Sequence, residues 1–221
     1  MHSYSIDTDE RSRVIAILAI ISVGISSVIS PIFEKLESMS LFHIFKILNI
    51  HLSTPSSMAL FWVLYKIFDL YLWKVKIIRK IFKIETPILH GKWKGKYYSK
   101  RRCEKTNKLI TKEGDVELHI IQTWTKIRIT QESSTSYSYS EMAGITTNDR
   151  MGITLRYQYR NESKAIGEET MHSHTGFNKL RYLPENKRLE GDYFTDKDRR
   201  TYGTLWYEKV SQKSKTPTKM H

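Results

Sequence analysis

The residues with the most chemistry to offer are histidines, tyrosines and arginines in the second half of the chain. His172-Ser173-His174 puts two imidazoles on one face of an extended segment. Zinc needs at least one further ligand, and no His, Cys, Asp or Glu follows at a diagnostic spacing. The single cysteine, Cys103, excludes an internal disulfide framework and a cysteine-rich zinc or iron–sulfur site. GxSxG, HExxH and a phosphate-binding glycine loop are all missing from the sequence. The expectation is therefore a protein with no catalytic residues, no metal and no cofactor. A hydrolase working through His172 or His174 is the enzymatic alternative.

Six large aromatics, Trp93, Tyr97, Tyr157, Tyr159, Tyr193 and Tyr207, fall in phase with apolar residues. Taken singly, each suits a core. Together they bring polar groups that need partners when buried, and flat faces that suit stacked bases. Arg128, Arg156, Arg199 and Arg200 are candidate phosphate partners, because a guanidinium holds a phosphate through two parallel hydrogen bonds.

Charge separates two materials along the 221 residues. Residues 1–85 hold 10 Lys+Arg and 7 Asp+Glu, whereas residues 86–221 hold 26 and 16, so +10 of the net +13 lies in the second part. Lysines beside a membrane explain only the first share. The excess beyond residue 86 calls for an anionic partner or a membrane surface.

The elements that must position these groups are strands. From Gly91 the apolar period becomes two, with Trp93, Gly95 and Tyr97 opposite Lys92, Lys94 and Lys96. Val116, Leu118 and Ile120 continue it, and a change of phase at Gln122–Trp124 predicts a bulge or sharp bend inside one long strand running on to Ile129. Further strands are read over Tyr137–Met142, Ile153–Tyr159, Met171–Phe177, Leu180–Leu183, Leu189–Thr195 and Thr201–Val210, with turn residues between them. Seven or eight short strands over 86–211, with glycines inside several, predict a small antiparallel up-and-down β-barrel; a sandwich is the alternative. Residues 212–221 form a basic tail expected to be disordered.

The first 85 residues read as a membrane anchor. Val14–Phe33 carries no charge and, at about 1.5 Å per residue, matches the roughly 30 Å hydrocarbon core of a bilayer. Pro31 is expected to end that helix. A second span is read over about 55–73, with a helix lying on the membrane surface as the alternative. It is interrupted by Lys66 and Asp69, which share a helix face and form either an ordinary intrahelical pair or a polar pair for helix–helix contact. Leu41–Leu48 in the connector predicts a helix at the membrane surface. Lys74, Lys76, Arg79, Lys80 and Lys83 follow the second span, and Arg11 and Arg13 precede the first. Basic flanks stay in the cytoplasm, so both termini and the barrel are expected there. The sequon Asn161-Glu162-Ser163 would then never meet glycosylation machinery.

Leu64-Tyr-x-Ile-Phe-Asp-x-Tyr-Leu-Trp-Lys74, then Gly91-Lys-Trp93-Lys-Gly95-x-Tyr97, Leu155-x-Tyr157-x-Tyr159, His174-x-Gly176, Leu189-x-Gly191-x-Tyr193 and Tyr202-Gly203 form one ordered pattern. It resembles the CD-NTase-associated protein 15 family, the two-transmembrane, β-barrel effectors of cyclic-oligonucleotide-based antiphage signalling (CBASS). The resemblance implies a barrel that receives a cyclic dinucleotide made by a cognate nucleotidyltransferase, rather than a DNA or RNA polymer. It also implies homo-oligomerisation in the bacterial inner membrane, contact with its lipid, and death of the infected cell by membrane disruption. Strand phase places Tyr97, Tyr157, Tyr159, His174, Tyr193 and Arg200 in the ligand pocket. A membrane-tethered, lipocalin-like carrier of a small apolar ligand is the alternative function.

Overall fold

In the computed structural model, which describes residues 1–37, 56–103, 106–148, 150, 152–164, 173–197 and 199–210, the period-two segments become strands that pair in chain order. They are β2 (Gly91–Arg102), β3 (Leu109–Gln122), β4 (Lys126–Ser133), β5 (Ser136–Thr146), β6 (Thr154–Ser163), β7 (His174–Leu183), β8 (Arg188–Thr195) and β9 (Thr201–Lys209). Each is antiparallel to the next, and β9 returns to β2, so the sheet closes into an up-and-down barrel.

The single long strand expected to bulge or bend sharply at Gln122–Trp124 is instead two strands joined by a turn there. Thr123 makes it: its hydroxyl accepts the amides of Thr125 (3.3 Å) and Lys126 (3.0 Å), and its own amide donates to Lys126 O at 2.8 Å. The strands read separately over Met171–Phe177 and Leu180–Leu183 are one, β7, with Asn178 and Lys179 inside it; Met171 and His172 lie outside the described residues. One strand too few and one too many cancelled in the expected count.

A ninth strand, β1 (His2–Ile6), precedes the membrane helix. It lies between β4 and β5, antiparallel to the first (His2 with Ile127, Ser3 with Lys126) and parallel to the second (Tyr4 with Ala143, Ser5 with Gly144, Ile6 with Ile145). Residues 1–7 thus belong to the same folded unit as residues 86–221, and residues 8–85 form the other.

One end of the barrel is closed. Trp93, Leu118, Ile120, Trp124, Ile127 and Leu155 are buried there. Their polar neighbours are satisfied: Trp93 Nε1 donates to Leu89 O (3.0 Å), Leu89 N donates to Gln122 Oε1 (2.8 Å), and Gln122 Nε2 donates to Pro87 O (3.0 Å). Lys209 lies over the Trp93 ring at 5.2 Å and donates to Ile88 O.

The helical unit contains α1 (Glu10–Glu37), α2 (Ser57–Leu70), a 3-10 turn (Leu72–Lys74) and α3 (Lys76–Ile81). Within α1, Glu10–Ile32 is long and apolar enough to cross a membrane, and Ile20, Val23, Val28 and Ile32 are exposed. Pro31 does not end the helix, which continues to Glu37; the ring removes one amide donor, and the surrounding turns hold. The 14 residues of α2 span roughly 21 Å at 1.5 Å per residue. Ser56 caps its first turn, accepting Ala59 N at 3.2 Å. Lys66 is exposed and lies 5.5 Å from the Trp62 ring, while Asp69 is buried. At the base, Glu10 accepts the amide of Glu85 at 2.6 Å and Arg13 donates to Lys83 O at 2.9 Å. Leu41–Leu48 falls outside the described residues.

Candidate ligand-binding site

At the opposite end, where β2, β4, β6 and β8 finish, the barrel interior is open. The inward positions change along each strand from apolar to polar: Ile127, Ile129, Gln131, Ser133 on β4; Leu155, Tyr157, Tyr159, Asn161 on β6; Trp93, Gly95, Tyr97, Ser99 on β2. The resulting cavity is open to solvent and has a volume of about 110 Å³, below the roughly 300–1,000 Å³ of sites that enclose a small molecule, so a nucleotide bound here would extend out through the mouth. Lys112 and Arg199 supply positive charge, and Gln131, Asn161, His174 and Asn178 supply neutral polar groups.

Tyr97, Tyr159 and Tyr193 line this space, and each is paired across the ladder with a glycine: Gly114, Gly176 and Gly203. A Cβ at Gly114 would come within 2.8 Å of the Tyr97 hydroxyl, one at Gly203 within 2.8 Å of the Tyr193 ring, and one at Gly176 would overlap the Tyr159 ring. The missing side chains let three rings lie against the wall instead of projecting across the lumen. That arrangement explains the glycine of His174-x-Gly176; the glycine of Tyr202-Gly203 is required first by the Tyr98 backbone carbonyl, which a Cβ there would overlap. The three rings leave a cavity paved with aromatic faces.

Burial raises the Tyr159 hydroxyl pKa above its ordinary value, and burial also raises Tyr193, offset in part by a hydrogen bond with Ser99. Both hydroxyls stay protonated at neutral pH and can donate to a phosphate or a base. Beneath them, Tyr157 is fully buried. Asn178 Nδ2 donates to its hydroxyl at 2.5 Å, and Tyr207 OH donates to Gln131 Oε1 at 2.8 Å. Asn161 Nδ2 lies 3.4 Å from both Ser136 Oγ and His174 Nε2.

Of the residues expected in the pocket, the structure brings Tyr97, Tyr159, His174 and Tyr193 together around the cavity. Tyr157 lies under the floor. Arg200 is not in the lining: a left-handed φ of 48° turns it outward, and its Nε donates to Lys197 O at 2.9 Å. Its neighbour Arg199 takes the inward place, its amide 3.3 Å from Asp196 Oδ1. Strand phase named the aromatics but passed over Ser99, Gln131, Asn161 and Asn178, which continue the same inward alternation. Among the described residues no cluster of three His, Cys, Asp or Glu could hold a metal. His172 lies outside them.

Residues 84–209 match the family model described as Cap15, cyclic dinucleotide receptor domain, and residues 12–74 match the one described as Cap15, TM helices. The chain belongs to the Cap15 family. A CD-NTase-associated protein 15 from Yersinia aleksiciae is 34% identical over 206 residues, covering 90% of this chain and 92% of that protein. The Cap15 receptor match covers every barrel strand except β1, and so includes the strands that line the cavity. The mixed polar and aromatic lining suits an anionic nucleotide better than the wholly apolar cargo of a carrier.

Proposed function

We propose that the chain is a membrane-anchored antiphage effector of CBASS whose barrel cavity receives a cyclic dinucleotide made by a cognate nucleotidyltransferase. Occupancy drives assembly of copies in the inner membrane, loss of its barrier and death of the infected cell. The observation that carries this reading is the open cavity inside the receptor-matched domain, with three glycine-backed tyrosine rings and the cations Lys112 and Arg199 at one site. A cyclic dinucleotide offers two bases to such rings and two phosphates to such cations. To activate, it must bind the assembled state more tightly than the resting one.

The anchor crosses the membrane twice in this reading, with the barrel and both termini cytoplasmic. Its support is the ninth strand. Residues 2–6 and strands β2–β9 are one folded unit, so the intervening chain crosses an even number of times. Helix α1 makes the first pass and the segment containing α2 the return, at a length that local bilayer thinning and snorkelling of the flanking residues accommodate. The basic run after Trp73 supports this orientation. Lys66, exposed on α2, then sits where helices of neighbouring copies meet, whereas Asp69 is buried within its own chain and does not.

The test is thermal unfolding of the full-length protein in detergent with a panel of cyclic di-AMP, cyclic di-GMP and cyclic GMP-AMP. One member should raise the midpoint by about 5 °C or more when supplied at 100 times its Kd, and that member alone should release dye from vesicles carrying the protein. A flat panel with well-folded protein overturns the receptor reading. Binding without leakage overturns the effector half.

A further inference from the structure

The seam between β4 and β5 differs from every other in the barrel. β2 and β3 stay paired from Gly91–Ile120 to Arg102–Leu109, but β4 and β5 pair directly only from Thr130–Tyr139 to Glu132–Tyr137, at the mouth. Beyond that short contact they diverge, and β1 fills the fork. Ser140 marks the branch point: its hydroxyl accepts Ile129 N at 3.0 Å and lies 2.7 Å from His2 Nε2, tying three strands at one atom. The register shift between Ser140 and Met142 is at the same place.

Further down, β1 is held by side chains. Tyr4 is buried and donates to Trp124 O at 2.7 Å. The Asp7 carboxylate accepts Thr147 N (2.8 Å), Thr147 Oγ1 (3.0 Å) and Asn148 N (3.1 Å). Only Asp7, Thr8 and Asp9 separate β1 from the first residue of α1. At the other end of the seam, Gln131, Ser133 and Ser136 line the cavity. A single seam therefore has the ligand cavity at its top and a strand leading into the membrane helix at its bottom. Neither family match covers residues 1–11.

We propose that β1 is the transmission strand of the receptor: a ligand seated against Gln131, Ser133 and Ser136 parts the short β4–β5 contact, the fork opens, and β1 is released to act on α1. This rests on the ligand reading above and adds the route by which occupancy leaves the barrel. The parallel pairing with β5 is the weaker kind of ladder, and a short strand held by few backbone bonds is the element that opens at least cost. By linkage, whatever holds β1 in the fork must also weaken ligand binding.

The test is a reversible clamp in the full-length protein, in a Cys103→Ser background. Ser3→Cys with Lys126→Cys joins exposed positions that face each other across β1 and β4. Lys94→Cys with Glu117→Cys is the control on β2 and β3. Oxidised, the first pair should suppress vesicle leakage by about tenfold or more and weaken binding of the cyclic dinucleotide active in the panel, with both restored by reductant; the control pair should change neither. In the unmodified protein the same ligand should speed amide hydrogen exchange at residues 3–6 by about tenfold while slowing it on β6 and β7. A clamped protein that binds ligand and leaks as fast as the reduced one overturns the inference alone, as does ligand protection of residues 3–6. Absence of binding in the unmodified protein overturns the receptor reading and this inference together.

Discussion

The two ends of the barrel are built from the same strands and do opposite things. At the closed end the inward positions are tryptophan, leucine and isoleucine, and the few polar atoms bond to one another. At the open end the same alternation delivers serine, asparagine, histidine and tyrosine, and glycine replaces bulk beside each tyrosine ring. Stability and recognition are thus separated along the barrel axis. Substitutions at the two ends should fail differently.

The largest effect is expected from the closed end. Trp93→Ala removes a fully buried indole that packs edge-on against Tyr182 at 6.2 Å and under Lys209, and should cost about 3–5 kcal/mol of stability. Thermal unfolding of full-length protein in detergent reads it. Conversely, Gly176→Ala at the open end should leave the fold in place at a cost of about 1–3 kcal/mol. The Tyr159 ring would be driven off the wall into the lumen, weakening cyclic dinucleotide binding by about a hundredfold, or about 2.7 kcal/mol. Calorimetry on both variants sharpens the contrast. If Gly176→Ala binds normally, the paved wall has no role in recognition.

Arg199 and Arg200 offer a finer comparison within one loop. A guanidinium bond to a phosphate contributes about 1.5–3 kcal/mol, so Arg199→Ala should weaken binding by about ten- to a hundredfold. Arg200→Ala should stay within about threefold of the unmodified protein, because its guanidinium turns back onto Lys197 O. Equal losses would mean that total loop charge matters rather than placement.

The same pairs of residues explain what could be read in advance. Alternation of Ile127 and Ile129 against Lys126 and Arg128 marks a strand face in the sequence itself, and so do the tyrosines of β6. Adjacent arginines cannot be told apart by period, since the left-handed turn at Arg200 depends on the loop closing over Asp196. The Thr123 turn escaped because its signal is one hydroxyl rather than a Gly or Pro. β1 was hidden for a deeper reason: His2-Ser-Tyr-Ser-Ile6 has one buried side chain, Tyr4, and its partners lie more than a hundred residues away. Long-range pairing of so short a segment leaves almost no local pattern.

The smallest expected effect concerns the carboxylate that holds β1 in place. Burial alone would raise the Asp7 pKa, but hydrogen bonds from the Asn148 and Thr147 amides and the Thr147 hydroxyl outweigh it and hold the folded value below the ordinary 3.8. A depressed acid contributes stability above its unfolded pKa and loses it as pH falls through the folded one. Asp7→Ala should therefore lower the melting midpoint by a few degrees at pH 7. The gap should begin to shrink as pH falls through about 4, where the carboxylate of the unfolded chain takes up its proton, and be lost once pH passes below the lower folded value. Melting curves of both proteins between pH 3 and pH 8 measure it. A gap that persists unchanged to pH 3 would mean that Asp7 acts by packing rather than by charge, and the closed end would then depend on apolar contacts at its ninth strand as it does at Trp93.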